Sequence, residues 1–279
     1  MYQAVHLSGL FIHPVKSLRA CAVTSARIDP LGLASDRRFL VVDETGRFLT
    51  QRTLPRMALV STALSADTLT LSADGARDLH VPRASDPAAP LRTVSVWQSD
   101  GLQAEDCGEA PAQWLGDFLD MKCRLVRLGA AFHRPVLRPS GTRPGDLLSF
   151  ADGYPFLLIS EASLADLNDR LAARGEDALP MNRFRPNLVV SGCPAYAEDT
   201  WPRLRIGGVT FRAGGPCARC VVTTTDQLTA ERGKEPLRLL ASYRRDVEDP
   251  TNVNFGQNLL HETKSGTLSV GDTVEILPE

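Results

Sequence analysis

The stretch GGPCARCVVTTTD, residues 214–226, sets Cys217 and Cys220 three apart, between a glycine turn and a β-branched run. Three chemistries fit that spacing: a redox dithiol, half of a zinc site, or one working sulfur with a bystander. A zinc site wants a second pair of Cys or His ligands. The five histidines (His6, His13, His80, His133, His261) are scattered singly, and the nearest other cysteine, Cys193, stands alone. A thioredoxin-like dithiol opens a helix, whereas VVTTTD reads as a strand. Two buried structural thiols are the plainest alternative, because free cysteine is among the most buried residue types. Against that stands the neighbourhood. A guanidinium at Arg219 favours the thiolate, the form that binds metal or attacks. Gly214-Gly215-Pro216 gives a tight turn that a ligand can approach closely. A single thiolate on a rigid turn, with cations beside it, suits a soft metal carried by an anionic cofactor.

Basic residues recur where strands end or begin. HPVKSLRA (13–20) breaks a strand at Pro14 and then offers Lys16 and Ser17, a point charge and a hydroxyl suited to phosphate. SDRRF offers Arg37 and Arg38, and RFRPN offers Arg185 with Asn187. Taken singly, each reads as a solvated surface charge. Taken together, in a chain of net charge -2, they read as one focused anion pocket. Asp226, after TTT, serves equally well as a turn-former or a proton donor.

The elements that must position these groups are mostly strands. Residues 5–13 and the hairpin 38–52, turning at Glu44-Thr45-Gly46, are β-branched and aromatic. ALVSTALS, TLTLSA and LRTVSVWQ alternate as strands do, around the Pro/Ala/Ser-rich loop 82–90. EAPAQWLGDFL (109–119) reads as a short helix, CRLVRL as a strand and 133–146 as a basic, proline-rich loop. Ser160 is the expected cap of a helix whose Leu164, Leu167 and Leu171 share a face. FRPNLVVSG, the Gly-Gly hairpin LRIGGVTFR, FGQNLL and TLSVGDTVEIL are further strands, and EPLRLLASYRR is a helix with proline in its first turn. The fold expected is mainly β with a few α-helices, as two β-barrel-like domains, residues 1–125 and 126–279.

The bulk numbers exclude more than they assign. With 279 residues, 43% hydrophobic and 23% charged, the composition is that of a soluble globular protein. A pI near 6.2 argues against a nucleic-acid binder working through a global positive field. MYQAVHLSGL carries no secretory pattern, and no apolar run nears the ~20 residues that span a bilayer. Six thinly spread cysteines fit a reducing compartment. These observations lead to the expectation of a cytoplasmic protein without membrane or nucleic-acid partners, and a monomer.

HPVKSLRA, DRRFLVVDETGRFLTQR, FADGYPFLLISEASLADLN, FRPNLVVSG, EDTWPRLRIGGVTF, GPCARCVVTTTD, EPLRLLASYR, FGQNL and SVGDTVEIL occur here in order. Through them the chain resembles the MOSC-domain molybdenum-cofactor proteins with an N-terminal MOSC β-barrel domain. It is most similar to the bacterial proteins that detoxify N-hydroxylated bases and to the mitochondrial amidoxime-reducing component. The resemblance implies a molybdenum-molybdopterin cofactor in a cleft between two domains, with Cys220 as the thiolate ligand of the metal and the catalytic centre. It implies that Lys16, Ser17 and Arg37 from the N-terminal part bind the cofactor. From the MOSC part it implies Asp152, Gly153, Tyr154, Arg185, Asn187, Ala218 and Arg219, together with Gln257 and Asn258 of the FGQN loop. A family association with pyridoxal phosphate travels with it.

The implied activity is molybdopterin-dependent reduction of small N-hydroxylated compounds, such as hydroxylaminopurines and amidoximes, to amines and amidines. The bacterial relatives continue into a ferredoxin-like domain, whereas this sequence closes at VEILPE and holds no C-x₄-C-x₂-C run. Electrons are therefore expected from a separate ferredoxin-, flavodoxin- or cytochrome b5-like protein and its reductase. The alternative is a cofactor carrier or sulfur-transfer module without substrate turnover. The full N-terminal domain and the lack of a pyridoxal-dependent domain favour the reductase.

Overall fold

The structure, a computed structural model, describes residues 4–138 and 140–278, so the proline-rich loop 133–146 is described apart from Pro139. Strands dominate, in curled, barrel-like sheets. The largest has eight strands in the order Val274–Leu277, Arg203–Ile206, Val209–Ala218, Asn254–His261, Phe156–Ser160, Leu188–Ser191, His6–Ile12, Cys21–Ala22. Its pairings are antiparallel except Phe156–Ser160 with Leu188–Ser191. A parallel pair needs a crossover, and the helix Glu161–Ala172 supplies it. That helix starts as expected, Ser160 Oγ accepting from Ser163 N at 3.0 Å, and buries Leu167 and Leu171.

A four-stranded sheet, Phe39–Val42, Arg124–Leu128, Ser99–Asp106, Leu91–Val96, forms the heart of the first half. The helix Glu109–Leu119 packs Leu115 and Leu119 into its core beside Met57, Leu69 and Leu125. The first strand, however, works for the other half of the chain: His6–Ile12 pairs with Leu188–Ser191. Leu7, Leu10, Ile28 and Leu33 share one buried core with Phe156, Leu204, Phe211 and Leu259. The chain thus enters the second half's sheet, leaves it at His13-Pro14, and delivers Lys16 and Arg37 to the seam between the two.

Two expected elements differ. VVTTTD is not a strand: Val221–Thr224 is a 3-10 helix. The hydroxyls explain this, since Thr223 Oγ1 and Thr224 Oγ1 donate back to Cys220 O at 3.0 Å and Val221 O at 2.8 Å. EPLRLLASYRR is helical only over Leu237–Leu240. Beyond it the chain turns, Ser242 Oγ returning to Leu239 O at 2.7 Å, and comes back through an Arg245–Val253 bridge.

Candidate functional site

Cys220 follows the long strand Val209–Ala218 and caps the 3-10 helix, rather than opening a strand as the sequence suggested. It is only partly buried. Its loop is fixed from three sides. Arg183, 6% exposed, donates to Thr223 O and Thr224 O at 3.0 Å each and to Asp226 Oδ2 at 3.2 Å. Asp226 Oδ1 accepts from Leu228 N and Thr229 N at 2.7 and 3.0 Å, so this residue forms a turn. The buried amides of Gln51 and Gln227 bond each other at 3.0 and 3.2 Å, tying the loop to the turn that carries Arg52.

Arg219 is placed differently from the expectation. Its Nη1 donates to Cys217 Sγ at 3.0 Å and its Nη2 to Phe184 O at 2.6 Å, leaving Nε buried without a partner. The side chain beside Cys220 is instead Arg52, which the sequence reading passed over. Burial disfavours its charge, but Asp152 and the Cys220 sulfur outweigh burial and raise its pKa. Cys217 packs at the edge of a core cluster with Phe184 and Phe255. Among the described residues no three His, Cys, Asp or Glu side chains gather as a metal site, so Cys217 and Cys220 lack the partners a protein-only zinc site needs.

Most of the remaining expected residues converge on this seam. Lys16, 5% exposed, donates to Phe150 O at 2.9 Å and to Asp152. Burial, only partly offset by Asp152, lowers its pKa to about 8. Asp152 also accepts from Trp97 Nε1 at 2.9 Å and Arg52 Nη2 at 3.1 Å. Desolvation opposes its ionisation, but Lys16 and Arg52 hold its carboxyl well below the usual range. Arg37 Nη1 donates to Asp36 at 2.5 Å and to Asn187 Oδ1 at 3.0 Å. Arg185 makes no hydrogen bond or ion pair among the described residues. Burial, then the nearby Arg37 charge, lowers its pKa to about 9, and Arg219 adds to that pressure.

Ser17, Arg37 and Arg185 all take positive φ (68°, 50° and 56°), an uncommon backbone state for such residues that recurs at ligand-clasping turns. His13 holds two of these turns together: its carbonyl accepts from Arg37 N at 2.7 Å, and its Nε2 bonds Pro186 O at 3.1 Å. Burial, with Arg37 and Arg185 beside it, pulls its pKa well below the usual histidine value, so it serves as a neutral strut.

Other expected residues have supporting geometry. Asn187, 1% exposed, has its amide engaged by Arg37 and by Phe11 O at 3.2 Å, so it aims Arg37. Ser17 O accepts from Gln51 Nε2 at 2.7 Å. Tyr154 Oη donates to Ser140 O at 3.1 Å, and its ring lies over Gly214, where a Cβ would come within 2.4 Å of it. Gly153 leaves room for Arg138, whose Nε would stand 2.8 Å from a Cβ there. Asn258 Nδ2 donates to Pro216 O at 3.1 Å, while Gln257 Oε1 is buried without a partner opposite Pro216. Ala218 ends the strand in solvent. Arg134 was also missed. It is 3% exposed and donates to Ser149 O at 2.9 Å and Asp152 O at 3.1 Å.

Among the described residues the seam therefore brings Lys16, Arg37, Arg52, Arg134, Arg185 and Arg219 around two carboxylates, Asp36 and Asp152, with the sulfur of Cys220 beside Arg52 and that of Cys217 beside Arg219. With an unmatched guanidinium at Arg185 and an orphaned Nε at Arg219, the seam carries positive charge that no described residue neutralises, the electrostatic setting that suits an anion.

Fold and site together define a two-part β protein with a cation-lined seam and a partly exposed thiol at Cys220. A family model described as the MOSC N-terminal beta barrel domain matches residues 4–122, and one described as the MOSC domain matches residues 146–275. Human mitochondrial amidoxime-reducing component 1 is 39% identical, over 99% of this chain and 84% of its own. Bovine mitochondrial amidoxime reducing component 2 is 37% identical over 98% and 84%, respectively. Zebrafish molybdenum cofactor sulfurase is 36% identical over 96% of this chain but 34% of its own length. The chain belongs to the MOSC-domain family and carries both the N-terminal barrel and the MOSC domain. These relatives overturn the expectation of a cytoplasmic protein, since those matching nearly end to end are mitochondrial by name. None of these matches supports the association with pyridoxal phosphate. No helix among the described residues is long and apolar enough to cross a membrane.

Proposed function

We propose that this protein binds a molybdenum-molybdopterin cofactor in the seam and reduces small N-hydroxylated compounds to the deoxygenated amine or amidine and water. The observation that carries the reading is the convergence of six cations from both halves of the chain on one seam, with Arg52 of that set beside the partly buried Cys220. The relatives' names, two amidoxime-reducing components and a molybdenum cofactor sulfurase, point the same way.

The residues fit the group. A thiolate is a soft ligand matched to a sulfur-rich metal sphere, and Cys220 is the sulfur presented to the seam. Arg185 and Arg219 have guanidinium donors that no described residue uses, and they would take the phosphate with Arg37, itself aimed by Asn187 and Asp36. Bound there, the cofactor would supply the two-electron chemistry that removes oxygen from nitrogen. The protein's own contribution is positional and electrostatic. Arg52 stands against the Cys220 sulfur and puts a guanidinium beside it. Asp152 stays ionised and holds Arg52 and Lys16 in place, while Lys16 Nζ keeps its proton at neutral pH, below its pKa of about 8. Arg183 and the Gln51–Gln227 pair keep the Cys220 loop in one conformation. Reducing equivalents would come from a separate electron-carrier protein and its reductase.

The test is turnover. Protein produced in a molybdopterin-competent host should reduce benzamidoxime or hydroxylaminopurine with reduced benzyl viologen as donor, and Cys220→Ala should abolish this. A molybdenum-loaded wild type that reduces neither compound would refute the reductase reading.

A further inference from the structure

The cofactor seam leaves a second concavity unused. Beside Asp152 and Gly153 a cavity of about 110 Å³ opens between Trp97 and the segment that carries Arg134, Leu137 and Arg138. Two of its walls are apolar and in solvent, Trp97 being 47% and Leu137 58% exposed. Trp97 cannot swing away. Its Nε1 donates to Asp152 Oδ1 at 2.9 Å, the Arg52 guanidinium lies 4.6 Å from its ring centroid, and Phe48 meets it edge-on at 5.0 Å. A large aromatic surface held rigidly in water is a ready stacking platform.

The polar wall is divided. Arg134 is committed to Ser99 Oγ and to the Ser149, Ala151 and Asp152 carbonyls. Both Asp152 oxygens are taken, by Lys16 and Trp97 on one and Arg52 on the other. Arg138 and Gln98 are the uncommitted polar side chains of the cavity: neither makes a hydrogen bond or ion pair among the described residues, and Arg138 lies across Gly153, where no side chain stands. The cavity thus offers one flat apolar platform, one aliphatic wall and one free cation. An apolar cavity of about 150 Å³ holds a benzene ring, so a slightly smaller one open to solvent matches a single ring with one edge exposed.

We propose that this cavity is a specificity subsite that takes one aromatic ring of the substrate, with an anionic substituent directed at Arg138. It rests on the reductase reading and names the substrate class: aryl N-hydroxylated compounds bearing a carboxylate. Asp152, in the cavity wall and bonded to Arg52, joins the subsite to the seam that holds Cys220.

The experiment compares 4-carboxybenzamidoxime, benzamidoxime and acetamidoxime on molybdenum-loaded wild type, Arg138→Glu and Leu137→Ser. Both altered side chains are exposed. Arg138→Glu should raise KM for the carboxylate substrate tenfold or more, with kcat within twofold. Leu137→Ser should raise KM severalfold for both aryl substrates. Neither change should move acetamidoxime by more than twofold. Equal shifts on all three substrates, or molybdenum lost in Arg138→Glu, would overturn the subsite, the second result giving the cavity to the cofactor. Direct calorimetric binding of 4-carboxybenzamidine separates the two readings. Arg138-dependent binding without any turnover upholds the subsite and removes the reductase, whereas absent or Arg138-independent binding removes the subsite.

Discussion

Gln51 and Gln227 exchange hydrogen bonds between buried side-chain amides, at 3.0 and 3.2 Å, across 176 residues of chain. The pair lashes the turn bearing Arg52 to the loop that begins at Cys220. Arg232 reinforces it by donating to Arg52 O at 2.6 Å, and Arg19 by donating to Gln227 O at 2.9 Å. The geometry around the sulfur therefore depends on contacts that no local sequence window contains.

Gln51→Ala removes one partner of this pair and leaves Gln227 Oε1 buried without a donor, while its Nε2 keeps Thr225 O at 3.1 Å. An unsatisfied buried polar group costs about 1–3 kcal/mol, so chemical denaturation should show a loss of that size. Gln51→Ala should also weaken cofactor retention during gel filtration. Unchanged stability would show that the amide pair is not a tie.

Arg183→Ala strips the 3-10 helix of the donors on Thr223 O and Thr224 O. Bonds from a charged donor contribute about 1.5–3 kcal/mol each to stability, and the expected result is a loss of ~3 kcal/mol with faster hydrogen exchange over residues 221–226. Asp226→Asn keeps the acceptor at the turn and should retain most activity. A large kcat loss in that variant, without loss of stability, would restore Asp226 as a proton donor.

Anion affinity should fall as pH rises through about 8, where free Lys16 loses its proton. A bound anion raises the pKa of a neighbouring ammonium, so the complex holds more protons than the free protein above that pH. Binding then takes up protons and tightens as pH falls. Sulfate, whose charge is constant over this range, titrated into cofactor-free protein at pH 7 and pH 9 should show this, and Lys16→Gln should reduce the dependence to the part contributed by Arg185, whose pKa is about 9. Tighter binding at pH 9 would contradict it.

Much of the architecture was legible in the sequence because it rests on local signals. The helix Glu109–Leu119 begins and ends where its pattern does, Ser160 caps the next helix, and Gly207-Gly208 turns the hairpin between Arg203–Ile206 and Val209–Ala218. Failures came where distant side chains overrule local preference. The β-branched VVTT run coils into a 3-10 helix because its hydroxyls and Arg183 claim the carbonyls. The first strand joins the far sheet, a pairing no propensity announces. Of the site, the cations were visible as residue types, but their partners were not. Arg219 went to Cys217, Asn187 proved to be an aiming residue, and Arg52, inside the hairpin read for its strands, carried no signal beyond its charge.

The central claim is that Cys220, and not its neighbour three residues earlier, holds the metal. It is tested most directly by elemental analysis of wild type, Cys220→Ser and Cys217→Ser, purified in parallel from a molybdopterin-competent host. The prediction is close to one molybdenum per chain in wild type, most of it retained in Cys217→Ser, and a loss of at least tenfold in Cys220→Ser. Zinc in place of molybdenum, or equal loss from both variants, would contradict the assignment.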